Sequence, residues 1–167
     1  MNQAQAIDYE TIFLHAPVGM CISENRIIQT CNEALAGMFE RKSGVIVNVI
    51  GMAGVKPSAE YVCGAAGNAA LIAFTKGIGA GSTNKGVRVV GVNPTATRTD
   101  RIITLTKARA KATFGDESRW EELMANMPFG RVCEPEEVAD LVVYCASAKA
   151  TYLSGTVIDI DGGQLYR

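Results

Sequence analysis

The side chains best suited to acid–base chemistry and to hydrogen bonding with a ligand follow two apolar runs of the chain. Tyr61 carries a phenol that can donate or accept a proton, and it comes a short loop after the run 45–50. Asn93 and Thr99 follow a second apolar run, 87–92. Because ligands of parallel α/β sheets bind beyond the carboxyl ends of the strands, we expect both groups at one site.

Those apolar runs are typical of buried strands. Residues 45–50 are mostly β-branched and are closed by Gly51, while the Ala-rich segment 61–79 has the composition of a helix. A strand, a glycine turn and a helix form the repeating unit of a parallel sheet. With further strands at 87–92 and 156–160, the sequence predicts an α/β fold with three parallel strands and flanking helices.

The first part of the chain follows a different pattern. It predicts a helix, then two strands of a β-hairpin around a turn at Glu24 and Asn25, then a second helix. The corresponding segments are 8–16, 18–23, 26–30 and 33–40. We therefore divide the chain into an N-terminal part, 1–40, and a C-terminal part, 41–167, and expect them to form one folded unit.

Composition narrows the classes of function. The chain has 167 residues, 48% of them apolar, and a formal net charge of −1, which argues against a nucleic-acid partner or an anionic membrane surface. The 5 cysteines form no CxxC pair, which favours free thiols in a reducing compartment. No leader or membrane span is predicted, so we expect a cytoplasmic protein without a membrane partner.

Two further stretches carry family patterns. The N-terminal part reads "HAPVGMCI", a turn, "RIIQTCNEAL" and "MF", and over residues 8–40 it resembles the opening of a PAS sensory domain. The C-terminal part contains "NVIGMAG", Tyr61 at the start of a helix, "GVRVVGVNP", "RVCEPEEVADLVVYCAS" and "YLSGTVIDIDGG". Over residues 43–167 it resembles the carboxyl-terminal half of a short-chain dehydrogenase/reductase.

The second resemblance implies a partial Rossmann-like sheet, NAD or NADP as cofactor, and a small carbonyl or alcohol substrate. It also implies a homodimer or homotetramer with the helix after Tyr61 in the interface. Together the two resemblances suggest a chimaeric chain joined between Phe39 and Arg41. The N-terminal hairpin would then be available to cover the open edge of the first parallel strand.

The catalytic residues of that family correspond to positions of this sequence. Its tyrosine, the general acid/base, corresponds to Tyr61, its lysine four residues later to Ala65, and its serine to Gly51. A cation four residues along a helix favours the phenolate, so without it we expect Tyr61 to work poorly as a base at neutral pH. Lys56 and Ser58, in the loop before Tyr61, are the other candidates nearby.

The cofactor-binding residues implied by the resemblance are Asn93, Pro94 and Thr99. Thr99 fits the threonine that meets the nicotinamide carboxamide. No glycine-rich phosphate turn follows a strand in the first part of the chain. The glycines of "KGIGAG", at positions 77, 79 and 81, are interpreted as C-caps that end a helix and not as a phosphate loop.

Three classes of function follow from these patterns. The first is an NAD(P)-dependent oxidoreductase with weakened catalysis, the second a PAS-type sensory or interaction module, and the third a non-catalytic dimerising scaffold. His15, the only histidine, stands apart from any Cys, Asp or Glu cluster, so no metal site is predicted.

Overall fold

A computed structural model describes residues 21–24, 27–31 and 33–166, and within them the chain forms two sheets. An antiparallel hairpin pairs β1 (Cys21–Glu24) with β2 (Ile27–Cys31). A parallel sheet joins β3 (Gly44–Val49), β4 (Val87–Pro94) and β5 (Thr156–Ile160) in that order. The longer helices are α1 (Glu33–Glu40), α2 (Val62–Gly81), α3 (Asp100–Phe114) and α4 (Pro135–Ala146).

The predicted α/β fold of three parallel strands with flanking helices is confirmed, and so are the hairpin and the helix that follows it. The helix predicted at 8–16 lies outside the described residues, as does the rest of the PAS-like stretch before β1. The hairpin strands pair with each other and belong to a separate sheet. Hydrogen bonding of this hairpin to the edge of β3 is therefore not found within the described residues.

The core is centred on β4, the middle strand of the parallel sheet. Val89, Val90 and Val92 are 0% exposed because β4 has a strand on each side and a helix over each face. On one face Val90 and Val92 contact Cys145 of α4, and Val47 of β3 packs against the same cluster. This β-branched run is the typical composition of a strand buried on both faces.

The opposite face of the sheet is covered by α2. Adjacent residues of a strand point to opposite faces, so Asn48 lies on the face that Val47 does not occupy. Its Nδ2 donates a hydrogen bond to Oγ1 of Thr75 in α2 at 2.9 Å, and the Thr75 hydroxyl donates to the Leu71 carbonyl. This polar contact fixes α2 against β3 and thereby places the start of α2 near the carboxyl end of that strand.

The helix ends within "KGIGAG", as predicted, but the prediction that these glycines are its C-caps is wrong. The helix α2 runs through Gly77 and Gly79 and ends at Gly81, with Ser82 as its C-cap residue in right-handed conformation. None of these three glycines has a positive φ. Gly79 is instead buried where α2 crosses the backbone at Gly155.

One described helical segment, Ala59–Gly81, is long and apolar enough by length and composition to cross a membrane, with a mean hydropathy of 1.2. The same helix packs on the sheet, where Ala65, Thr75 and Gly79 are buried. The core helix of a water-soluble domain passes the same test, so this finding is weak evidence for a span.

An ion pair holds the first turn of α4. Both oxygens of Glu137 accept from Arg131 at 2.8 Å, and Oε2 also accepts from the backbone N–H of Glu134, which completes a capping box. The Arg131 guanidinium, followed by the Glu134 N–H, lowers the pKa of Glu137 to about 2 from 4.5.

This arrangement predicts a pH-dependent effect of Glu137→Gln. A lowered carboxyl pKa stabilises the fold above the unfolded-state value and loses that effect as the pH falls from about 4.5 towards about 2. In urea unfolding, the wild type should therefore exceed the Gln variant in stability at pH 7, and the gap should close by pH 2. Glu136→Gln, an exposed change in the same turn, is the control and should show no such closing. A gap that is constant with pH would contradict the assignment.

Candidate functional site

A cleft of about 580 Å³ opens at the carboxyl ends of β3 and β4. Its volume lies within the range of small-molecule sites, and its position is the one expected for a parallel sheet. Ile102 and Leu105 of α3 form an apolar wall, and Arg101 is the charged residue among those that line it. The sequence-based placement of a site at the ends of the two strands agrees with this cleft.

Gly51 forms the floor of the cleft at the end of β3. Its φ of 144° is a conformation that L side chains rarely adopt, so glycine is required there. The Gly51 N–H donates to Oδ1 of Asn93 at 2.9 Å. A Cβ at this position would lie 3.0 Å from Nδ2 of Asn68, so the room that a serine side chain would need is shared with the Asn68 amide.

Asn93 is 0% exposed and ties the ends of all three parallel strands together. Its Oδ1 accepts from Gly51, and its Nδ2 donates to Oδ1 of Asp159 at 2.8 Å and contacts Sδ of Met52 at 3.3 Å. Asn93 is not among the residues that line the cleft. Its amide positions the cleft floor, and its direct contact with a cofactor stays a prediction.

Pro94 and Thr99, the other residues implied for cofactor binding, both line the cleft. Thr99 is also the N-cap of α3, and its Oγ1 accepts from the Ile102 N–H at 3.4 Å. Asp100, the next residue, is the first residue of the helix. One exposed threonine thus begins α3 and presents its hydroxyl at the cleft.

Tyr61 lies at the start of α2, is 46% exposed and lines the cleft. Ala65, which the sequence-based comparison assigned to the position of the family's lysine, is 4% exposed and is not among the lining residues. The residue of α2 that lines the cleft beside Tyr61 is Asn68. Sequence reasoning missed Asn68, although a spacing of seven residues returns to the same helix face after two turns.

The Tyr61 ring lies against Gly64. A Cβ built on Gly64 would overlap Cζ and Cε1 of that ring and would lie 2.6 Å from its hydroxyl. Gly67, one turn further along α2, has no heavy atom within 4 Å of the same position. Gly64 is therefore the residue whose missing side chain leaves room for the phenol.

The other loop candidates, Lys56 and Ser58, do not line this cleft. Ser58 is not among the lining residues, and its hydroxyl hydrogen-bonds Glu60. That bond adds to the backbone hydrogen bond of Glu60 in lowering the pKa of its carboxyl. Lys56 lines a neighbouring cavity with Gln164.

Two of the free cysteines, Cys133 and Cys145, are buried. Burial raises the pKa of Cys133 and of Cys145, which disfavours the nucleophilic thiolate. Within residues 21–24, 27–31 and 33–166, no group of three or more His, Cys, Asp or Glu side chains could hold a metal ion.

Known proteins share the sequence pattern and this fold. Residues 19–164 match the family model described as enoyl-(acyl carrier protein) reductase. The chain is 33% identical over 144 residues to a 2-keto-3-deoxy-L-fuconate dehydrogenase of Xanthomonas campestris, covering 85% of this chain and 47% of the relative. It is 34% identical over 137 residues to a 3-oxoacyl-(acyl-carrier-protein) reductase of Vibrio harveyi, covering 82% and 52%.

Solved structures give the same result for the fold. L-sorbose reductase from Gluconobacter frateurii, solved with NADPH and L-sorbose, superposes with a TM-score of 0.71 at 27% identity, covering 80% of this chain and 52% of that one. An oxidoreductase of the short-chain dehydrogenase/reductase family from Burkholderia thailandensis has a TM-score of 0.68 at 26% identity, with coverage of 80% and 50%. The chain spans about half the length of the relatives it matches.

Proposed function

The chain belongs to the short-chain dehydrogenase/reductase family, and we propose that its cleft binds NAD or NADP together with a small carbonyl or alcohol. The observation that carries this proposal is that Tyr61 and Thr99, which follow different strands, line one cleft of about 580 Å³. The chain spans about half the length of its relatives. That it catalyses the reaction of a full-length enzyme of this family is therefore also a proposal.

The cleft residues fit one end of such a cofactor. The Thr99 hydroxyl and the Pro94 backbone would hold the nicotinamide, and Arg101 offers a cation at the same cleft. A glycine-rich phosphate turn is not found in the described part of the chain. When bound, the cofactor would supply or accept the hydride.

Tyr61 is the residue proposed to contact the substrate oxygen. Its phenol can donate a hydrogen bond to a carbonyl oxygen and can exchange a proton with it. Ala65 and Gly51 supply neither the lysine cation nor the serine hydroxyl of the family. We therefore propose slow turnover at neutral pH. If no cofactor binds, the alternative hypothesis is a non-catalytic dimerising scaffold.

The remaining proposals concern assembly and context. Exposed apolar side chains of α2, such as Leu71 at 42% exposure, would form the seam of a homodimer or homotetramer. We also propose that the protein is cytoplasmic. We further propose that the chain divides into two parts after residue 40, with a PAS-like N-terminal part that reflects a chimaeric origin. The family match, however, already begins at residue 19.

The direct test is cofactor binding, followed through energy transfer from Trp120 and by calorimetry. We expect saturable binding of NADH or NADPH at one site per chain. Thr99→Val removes the hydroxyl and should weaken binding by about threefold to tenfold, the usual value of one hydrogen bond. Thr104→Val, an exposed threonine of α3 that does not line the cleft, is the matched control and should bind like the wild type. No binding at millimolar cofactor would reject the cofactor proposal and favour the non-catalytic scaffold.

A further inference from the structure

We propose that Gly64 and Asn68 are positioning residues for the ligand oxygen of this cleft. Gly64 is the seat on which the Tyr61 ring rests, and Asn68 supplies a second hydrogen-bond donor beside the phenol. This inference rests on the proposed function for its ligand class, a ketone or aldehyde, and it adds two residues to the proposed site.

The seat is defined by what a side chain at position 64 would meet. The Tyr61 ring occupies that space so closely that an alanine Cβ at position 64 would overlap two ring carbons. The ring is the end of a side chain that is 46% exposed, so it could swing out into solvent without disturbing the core. Only a residue without a Cβ allows it to stay over the helix.

The seat also sets the separation between the phenol and Asn68. The Tyr61 hydroxyl lies 2.6 Å from the position that a Gly64 Cβ would take. Residues four apart on a helix have their Cβ atoms about 5–6 Å apart, and Asn68 is four residues after Gly64. The phenol therefore lies about one helical turn from Asn68, and both line the cleft. The sequence indicated position 65 as the one that faces the phenol, one turn after Tyr61. In the structure the phenol lies at Gly64, so the residue one turn further along the helix is Asn68.

Asn68 is held with its nitrogen towards the cleft floor. Its Nδ2 donates to the Gly51 carbonyl at 3.4 Å, in space that a side chain on Gly51 would share. An amide nitrogen has two hydrogens, so one remains for a ligand. The Tyr61 hydroxyl and this N–H are both neutral donors. Such a pair suits a carbonyl oxygen, which accepts two hydrogen bonds, and it does not supply the positive charge that favours phenolate.

The test uses the full chain, cyclohexanone as the probe, and a pair of glycine variants in the same helix. In nuclear magnetic resonance spectra, the wild type should show nuclear Overhauser contacts between the Tyr61 ring and the Gly64 α-protons. Cyclohexanone should shift the Asn68 side-chain amide signal in a saturable way. Gly64→Ala should abolish the ring contact and weaken cyclohexanone binding at least tenfold.

Gly67→Ala is the matched control, because its Cβ would point into open space. Both glycine variants gain helix propensity, so both should fold, and Gly67→Ala should bind cyclohexanone like the wild type. Asn68→Ala should weaken binding while the Tyr61 ring contact with Gly64 is kept, and Asn68→Gln should restore part of it.

Any of three results would overturn the inference. These are a wild type without the ring contact, a wild type that does not bind cyclohexanone, and equal binding by the two glycine variants. Failure of the proposed function is seen separately in the cofactor titration. Cofactor binding with equal ketone binding by the two variants would reject only the positioning roles, whereas the expected ketone results without cofactor binding would reject only the cofactor proposal.

Discussion

Replacing Gly79 with alanine should lower the free energy of unfolding by about 3 kcal/mol or more, enough to unfold a marginally stable domain. A Cβ at this position would overlap the backbone nitrogen of Gly155 and would lie 2.5 Å from its Cα and 2.7 Å from the Val89 carbonyl oxygen. These neighbours are all main-chain atoms, so no side chain can rotate away. Relief requires α2 to move off the sheet.

Hydrogen bonds also join α2 to the sheet at Gly79. The Ser154 hydroxyl donates to the Gly79 carbonyl at 2.7 Å and accepts from the Val89 N–H at 3.1 Å. The Gly155 N–H donates to the Val89 carbonyl at 2.8 Å. Displacing α2 would break the first of these bonds and leave the half-buried Ser154 hydroxyl without its acceptor. Overpacking and hydrogen-bond loss therefore act in the same direction.

Gly77→Ala is the control for this prediction. It lies two residues earlier in the same helix, is exposed, and would place its Cβ in open space. Alanine there should raise stability by up to about 1 kcal/mol through helix propensity. Urea unfolding followed by circular dichroism measures both variants. Equal effects of the two substitutions would show that the close approach at Gly79 does not limit stability.

Asn93→Ala should lower the free energy of unfolding by roughly 2–4 kcal/mol, the second large effect that we expect. The substitution removes an amide that is 0% exposed and that bonds both Gly51 and Asp159. The Gly51 N–H would lose its acceptor, and the Asp159 carboxylate would lose a donor at 2.8 Å. The side-chain link that joins the ends of β3 and β5 through Asn93 would then be lost.

The floor of the cleft should change with this substitution as well. Gly51 keeps its unusual φ of 144° while its N–H is bonded to Asn93. Asn84→Ala, an exposed asparagine in the short turn after α2, is the control and should change stability by less than about 0.5 kcal/mol. Urea unfolding compares the variants. A small loss for Asn93→Ala would mean that the strand ends are held by the backbone ladder alone.

The sequence by itself determined the strands and the end of the sheet at which the cleft forms. The runs 45–50, 87–92 and 156–160 are β-branched and closed by turn residues, and strands were found at Gly44–Val49, Val87–Pro94 and Thr156–Ile160. Burial on both faces demands such continuous apolar runs, so the pattern is local and readable. The position of Tyr61 and Thr99 at the cleft followed from the same rule for parallel sheets.

The tertiary structure alone decided what the individual side chains do at that end. Spacing along α2 indicated Ala65 as the partner of Tyr61, but the Tyr61 ring folds back over Gly64 and leaves Asn68 beside it. Likewise, only the packing of α2 on the backbone at Gly155 explains Gly79, which the sequence indicated as a cap. The physical reason is common to both. A glycine in a sequence shows only that a side chain is absent. Which atoms fill the space is decided by residues from other turns and strands, which only the tertiary structure brings there.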